Sequence, residues 1–168
     1  MLKRILTLLL LIVCTTIAQQ SFAQQLLTEL PETKEQFIAS EKQVLATIDW
    51  LETTPFDQEE NKRLQQKALL VAWLTNSPTV TLEINANVLT FTKKNPDLMI
   101  IFMGGWTRYA LQNQYSTDNV KGSLAGVKSA IKVYKALALK KDKAMEKLIE
   151  LEDKGELEGW VKKEMEKK

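Results

Sequence analysis

The stretch Thr79–Met103, TVTLEINANVLTFTKKNPDLMIIFM, decides the fold class. Val80, Leu82 and Ile84 alternate as in a strand, and Asn85-Ala86-Asn87 could turn into Val88–Thr92 as a hairpin. Ile84, Val88 and Phe91 suit a helix face equally well. The run Leu98–Met103 could be a buried strand ending at Gly104-Gly105. However, Asn95-Pro96-Asp97 is a good helix start, and Trp106, Tyr109 and Ala110 continue a helical period to Asn113. The helical reading is preferred, and it gives an all-α fold: an irregular bundle of about five to seven helices. The alternative is an α+β fold with a small sheet from residues 79–103.

The flanks support helices. Upstream, Thr33-Lys34-Glu35-Gln36 has capping-box form, and Phe37, Val44, Ile48 and Leu51 follow at helical spacing. Asp57-Gln58-Glu59-Glu60 is expected to open a second helix in the same way, with Leu64, Ala68, Val71 and Thr75 as its apolar stripe and Glu59 pairing with Arg63. Trp50-Leu-Glu-Thr-Thr-Pro55 is echoed by Trp73-Leu-Thr-Asn-Ser-Pro78, two similar ways of ending a helix rather than a repeat array. Downstream, Val120, Leu124, Val127, Ile131 and Tyr134 form a clean amphipathic stripe. A helix from Asp142 to Lys154, stopped by Gly155, and a last one carrying Leu157, Trp160 and Val161 complete the chain.

The N-terminus has the parts of a secretory signal. Lys3 and Arg4 precede the apolar run Ile5–Val13, and Ser21-Phe22-Ala23 places small residues before a cut at Ala23. The organisation expected is therefore a signal peptide at 1–23 and one α-helical domain at 24–168. Acylation at Cys14 is the alternative, giving a lipid-anchored protein. The whole chain of 168 residues has 23 Lys+Arg against 21 Asp+Glu, one cysteine and no histidine. Removal of residues 1–23 takes away Lys3, Arg4 and Cys14, leaving a neutral, cysteine-free chain that must be stabilised by packing without disulfides.

These counts exclude whole classes of chemistry. Without histidine there is no Ser-His-Asp triad and no His-ligated metal; without a mature cysteine there is no Cys-His dyad. No catalytic residue, cofactor or metal site is expected. Carboxylate pairs such as Glu59-Glu60 and Glu150–Glu152 sit in charged runs, and Ser129-Ala-Ile-Lys132 matches S-x-x-K only as a short, common pattern. Nucleic acid is not expected as a partner of a neutral chain lacking an aromatic-interleaved basic patch.

Charge is nevertheless segregated: residues 24–60 carry a net −7, residues 61–97 +3, residues 98–139 +4, and residues 140–168 zero. Lys121, Lys128, Lys132 and Lys135 share one helix face, which either meets an anionic partner, faces solvent or lies across the acidic N-terminal helices. The most unusual local sequence is Gly104-Gly105-Trp106-Thr107-Arg108-Tyr109. Two helical glycines cost roughly 1 kcal/mol each, which close approach of another backbone would offset, with Gly122 and Gly126 as counterparts. The same gap could instead expose Trp106, Arg108 and Tyr109 to a sugar or acidic peptide. The expected function is an exported, non-enzymatic binding or interaction module of the cell envelope, its partner an unknown protein or anionic envelope ligand. Membrane contact is expected only through an uncleaved or lipidated N-terminus. A hydrolase using carboxylates alone and an envelope-anchored structural protein are the alternatives.

Overall fold

The computed structural model describes residues 25–167; the expected signal segment, with Cys14 and Ala23, lies outside them. The described chain is all-helical, with six α-helices and no strand. They are α1 (Lys34–Thr53), α2 (Glu60–Asn76), α3 (Leu98–Gln112), α4 (Asn119–Ala136), α5 (Lys143–Asp153) and α6 (Leu157–Met165), with one 3₁₀ turn at Thr90–Lys93. None of these helices is long and apolar enough to cross a membrane.

Helix α3 is the axle of the bundle. Its sequence is apolar nearly all round, as a helix covered on several sides must be. It packs closely on α4, with α1 against its other side and the 3₁₀ turn near its start. Phe102 and Trp106 meet edge-on at 5.9 Å, and Phe91 of the 3₁₀ turn adds a second ring to Phe102 at 6.3 Å. Helices α5 and α6 pack on α4 through Met145, Leu148, Leu157 and Val161, all buried.

Local signals account for most helix ends. Thr33 and Gln36 form the expected capping box, each side chain bonded to the other's backbone amide. Asp142 caps α5 through the Ala144 amide, and Gly155 closes it in the left-handed region at φ +72°. There the Glu156 and Gly155 amides take the Leu151 and Glu152 carbonyls, a closure that suits a residue without a Cβ.

The deciding stretch divides at Asn95. Residues 98–103 are helical, as preferred, whereas residues 79–89 form neither a helix nor a hairpin. They run as irregular chain, burying Val80 and Val88 and leaving Ile84 exposed, and Phe91 is buried in the 3₁₀ turn that follows. Their polar groups are used elsewhere: Asn85 and Asn87 donate to the Met165, Glu164 and Lys167 carbonyls at the end of α6. Capping a distant helix replaces a ladder of their own.

Helix α2 also departs from expectation. Asp57 is not its cap; Glu59 is, in the left-handed region at φ 47° and without a side-chain cap bond. Glu59 pairs with Lys62 rather than Arg63. Arg63 is buried, donating to the Leu51, Thr54 and Pro55 carbonyls at the end of α1 and lying against the rings of Trp50 and Phe56. It thereby supplies the cation that α1 lacks in its own last turn. The buried face of α2 is Arg63, Gln66, Leu70, Trp73 and Leu74, so the expected stripe of Leu64, Ala68, Val71 and Thr75 points outward.

Ahead of α1, an arm enters the core at one residue. Leu27 is buried, its amide donating to the Thr47 hydroxyl and its carbonyl accepting from the Gln66 side chain. Thr47 in turn donates to the Gln66 carbonyl oxygen, so both buried polar side chains are satisfied.

Candidate functional site

Trp106 is fully buried and offers no face to a ligand. Its ring fills the space left by Gly122 on α4, where a Cβ would overlap the indole. Phe102 lies over Gly126 in the same manner, with a Cβ there falling 2.6 Å from its ring and its carbonyl oxygen. In return Ser129 and the Ala125 carbonyl sit over Gly105, while Gly104 faces Ile48 of α1. The glycines are thus used for packing: backbone carbonyls approach Gly105, as expected, and Gly126, whereas Gly104 meets only the Ile48 side chain and Gly122 the Trp106 indole.

Arg108 is equally committed. It donates to Glu52 at 2.8 Å and to Asp49 at 2.7 Å, tying α3 to α1. Tyr109 is half-buried, its hydroxyl 3.3 Å from that of Ser116. The aromatic–cation set read from the sequence is therefore divided between core and ion pair, and does not converge on one surface.

The lysine face is partly spoken for. Lys132 reaches the buried Glu52 carboxylate at 3.3 Å, Lys135 meets Glu152 at 3.5 Å, and Lys121 lies 3.6 Å from Asp118. Part of this face lies across the acidic α1, one of the arrangements the charge distribution suggested. Lys121 and Lys128 line a shallow depression with Tyr109, Leu124 and Glu158, where one acid and two cations offer little net selection.

Glu150 bonds Lys154 at 2.6 Å, which holds its carboxyl below the usual range, the opposite of what a general acid requires. Ser129 packs on α3 and Lys132 is exposed, so the S-x-x-K pair lacks the buried lysine that activates such a serine. Among the described residues no group of three or more acids or soft ligands could hold a metal ion.

The surface that stands out lies between α2 and α3. Both helices rest on α1, and the space between them is a groove of about 530 Å³. Leu64, Ala68 and Val71 of α2 form one wall, and Met99, Ile100 and Met103 of α3 the other. Leu64 is 65% exposed and Val71 42%, so large apolar groups line an open channel. A single ion pair, Lys67 to Asp97 at 2.7 Å, joins the two walls. No protein-family model, curated protein or solved structure matches this chain. The groove is consequently interpreted from its own chemistry.

Sequence reasoning had these residues but placed them inside. Leu64, Ala68, Val71 and Thr75 obey helical spacing as well as the true core face does. The available signal was that α2 has two apolar faces, of which only the one carrying Trp73 and Leu70 contains bulk enough to fill a core.

Proposed function

We propose that the chain is an exported, non-enzymatic binding module of the cell envelope, with the α2–α3 groove as its working surface. The observation that supports this reading is the apolar channel just described. Exposed, contiguous apolar walls raise the free energy of a solvated protein, and on folded proteins such surfaces mark binding sites. Methionines at Met99 and Met103 suit a site that adapts to its ligand, since an unbranched thioether changes shape at little cost. Export rests on the sequence of residues 1–23, and an envelope anchor through Cys14 or an uncleaved segment would keep the same groove available.

The test compares immobilised mature protein, starting at Gln24, with its Val71→Asp variant in envelope extract. Val71 is exposed, so the variant is expected to keep the wild-type melting temperature to within roughly 2 °C. Under the proposal it loses whatever the wild type retains. An unchanged set of captured molecules would sink the groove as the working surface. Core truncation is the contrast: Leu70→Ala, at the adjoining residue but fully buried, is expected to cost about 2–5 kcal/mol of stability.

A further inference from the structure

The geometry points to a single-chain anionic amphiphile as the occupant of the α2–α3 groove, with its alkyl tail between the apolar walls and its acidic head at Lys93. This inference rests on the groove being the working surface and adds the class of ligand.

Two features select it. The first is the lining. Leu64, Ala68 and Val71 face Met99, Ile100 and Met103, and the Lys67–Asp97 bridge at 2.7 Å interrupts this apolar surface; a flexible alkyl chain can run beside the bridge, where a rigid helix about 10–12 Å across would have to ride over it. A volume of about 530 Å³ lies within the range of small-molecule sites. Tail burial would also remove the exposed Leu64 and Val71 from water, which the hydrophobic effect favours.

The second is charge. Past Pro96 and Met99, which line both spaces, the groove opens into a second depression of about 680 Å³. Lys93 lines it and is exposed, and among the described residues no carboxylate pairs with it. Lys167 lines it too but is bound to Glu164, which cancels its charge. Lys67 spends one of its three donors on Asp97 and retains others for a head group. The order along the groove is therefore apolar walls, then one uncompensated cation. That order matches a fatty-acid-like molecule and does not match a neutral lipid or a uniformly apolar peptide.

Calorimetric titration of the mature protein with laurate and with dodecanol, both kept below micelle formation, tests this. Wild type is expected to take up laurate saturably, one per chain. Val71→Asp and, separately, Leu64→Gln should each weaken laurate by roughly tenfold or more while melting as wild type does. Lys93→Gln should weaken laurate and leave dodecanol unchanged. Absence of saturable laurate binding overturns the proposal, and so does a Lys93→Gln effect equal for both ligands. Co-sedimentation with phosphatidylglycerol vesicles without laurate uptake overturns it in favour of a membrane-facing patch. If laurate fails but Val71→Asp still loses its captured molecules in envelope extract, the groove remains the working surface and the amphiphile is wrong.

Discussion

Adding one methyl group separates the roles of the glycines. At Gly122 a Cβ would overlap the fully buried Trp106 indole, which has no free space to enter. Gly122→Ala is expected to lose about 1–3 kcal/mol despite the better helix propensity of alanine, a melting-temperature drop of roughly 3–10 °C. Gly159 on α6 has nothing within 4 Å of a Cβ, so Gly159→Ala should gain about 0.5–1 kcal/mol. Thermal melts of the two variants should move in opposite directions; equal shifts would show that the α3–α4 seam is not glycine-dependent. Gly104→Ala is less telling, because its Cβ would meet only the Ile48 side chain, at 3.0 Å. That packing role was legible in the sequence, since Gly104, Gly105, Gly122 and Gly126 sit inside strong helical patterns where nothing local requires them. The partners were not legible: a bare residue type does not say whether a backbone or an indole will fill its place.

Between elements, the loop from α3 to α4 is held by a strained closure. Gln114 and Tyr115 both occupy the left-handed region, at φ 55° and 57°, which costs roughly 1–2 kcal/mol per residue for side-chain-bearing amino acids. Tyr115 then crosses to α1, where its hydroxyl lies 3.4 Å from a Glu41 oxygen. Burial pushes the Glu41 carboxyl above its ordinary value of 4.5, and the tyrosine bond only partly offsets this; the other carboxylate oxygen is buried without a partner. A carboxyl whose pKa is raised by folding binds protons more tightly in the native state. Its contribution to stability therefore falls as pH rises from the unfolded value through the folded one. Glu41→Gln is expected to be more stable than wild type at neutral pH, with the advantage fading near pH 4.5. Urea midpoints at the two pH values decide it, and parallel behaviour of both proteins would refute a desolvated Glu41. Helix identity at this scale was largely readable, because capping boxes, Gly155 and amphipathic stripes are local chemistry. The groove was not, because α2 presents two apolar faces and only the positions of α1 and α3 determine which is covered. The irregular segment 79–89 was equally opaque: Asn85 and Asn87 serve carbonyls some 80 residues away.

For the whole molecule, stability rests on one core running from Leu27 to Val161, and the described residues contain no cysteine to cross-link it. If residues 1–23 are removed as proposed, the exported protein begins at Gln24, carries no thiol and has no net charge. Intact-mass measurement of material recovered from the envelope should give the Gln24 start, and its melting temperature should be indifferent to reductant. A mass carrying acyl chains on Cys14, or the full-length chain, would replace cleavage by anchoring. The seat of Leu27 has a further consequence for the order of events in time. Thr47 and Gln66, which receive its amide and carbonyl, lie 20 and 39 residues later. A chain made from its N-terminus thus displays an unsatisfied leucine until both helices exist, so the first core residue among those described waits for α2 before it can be seated.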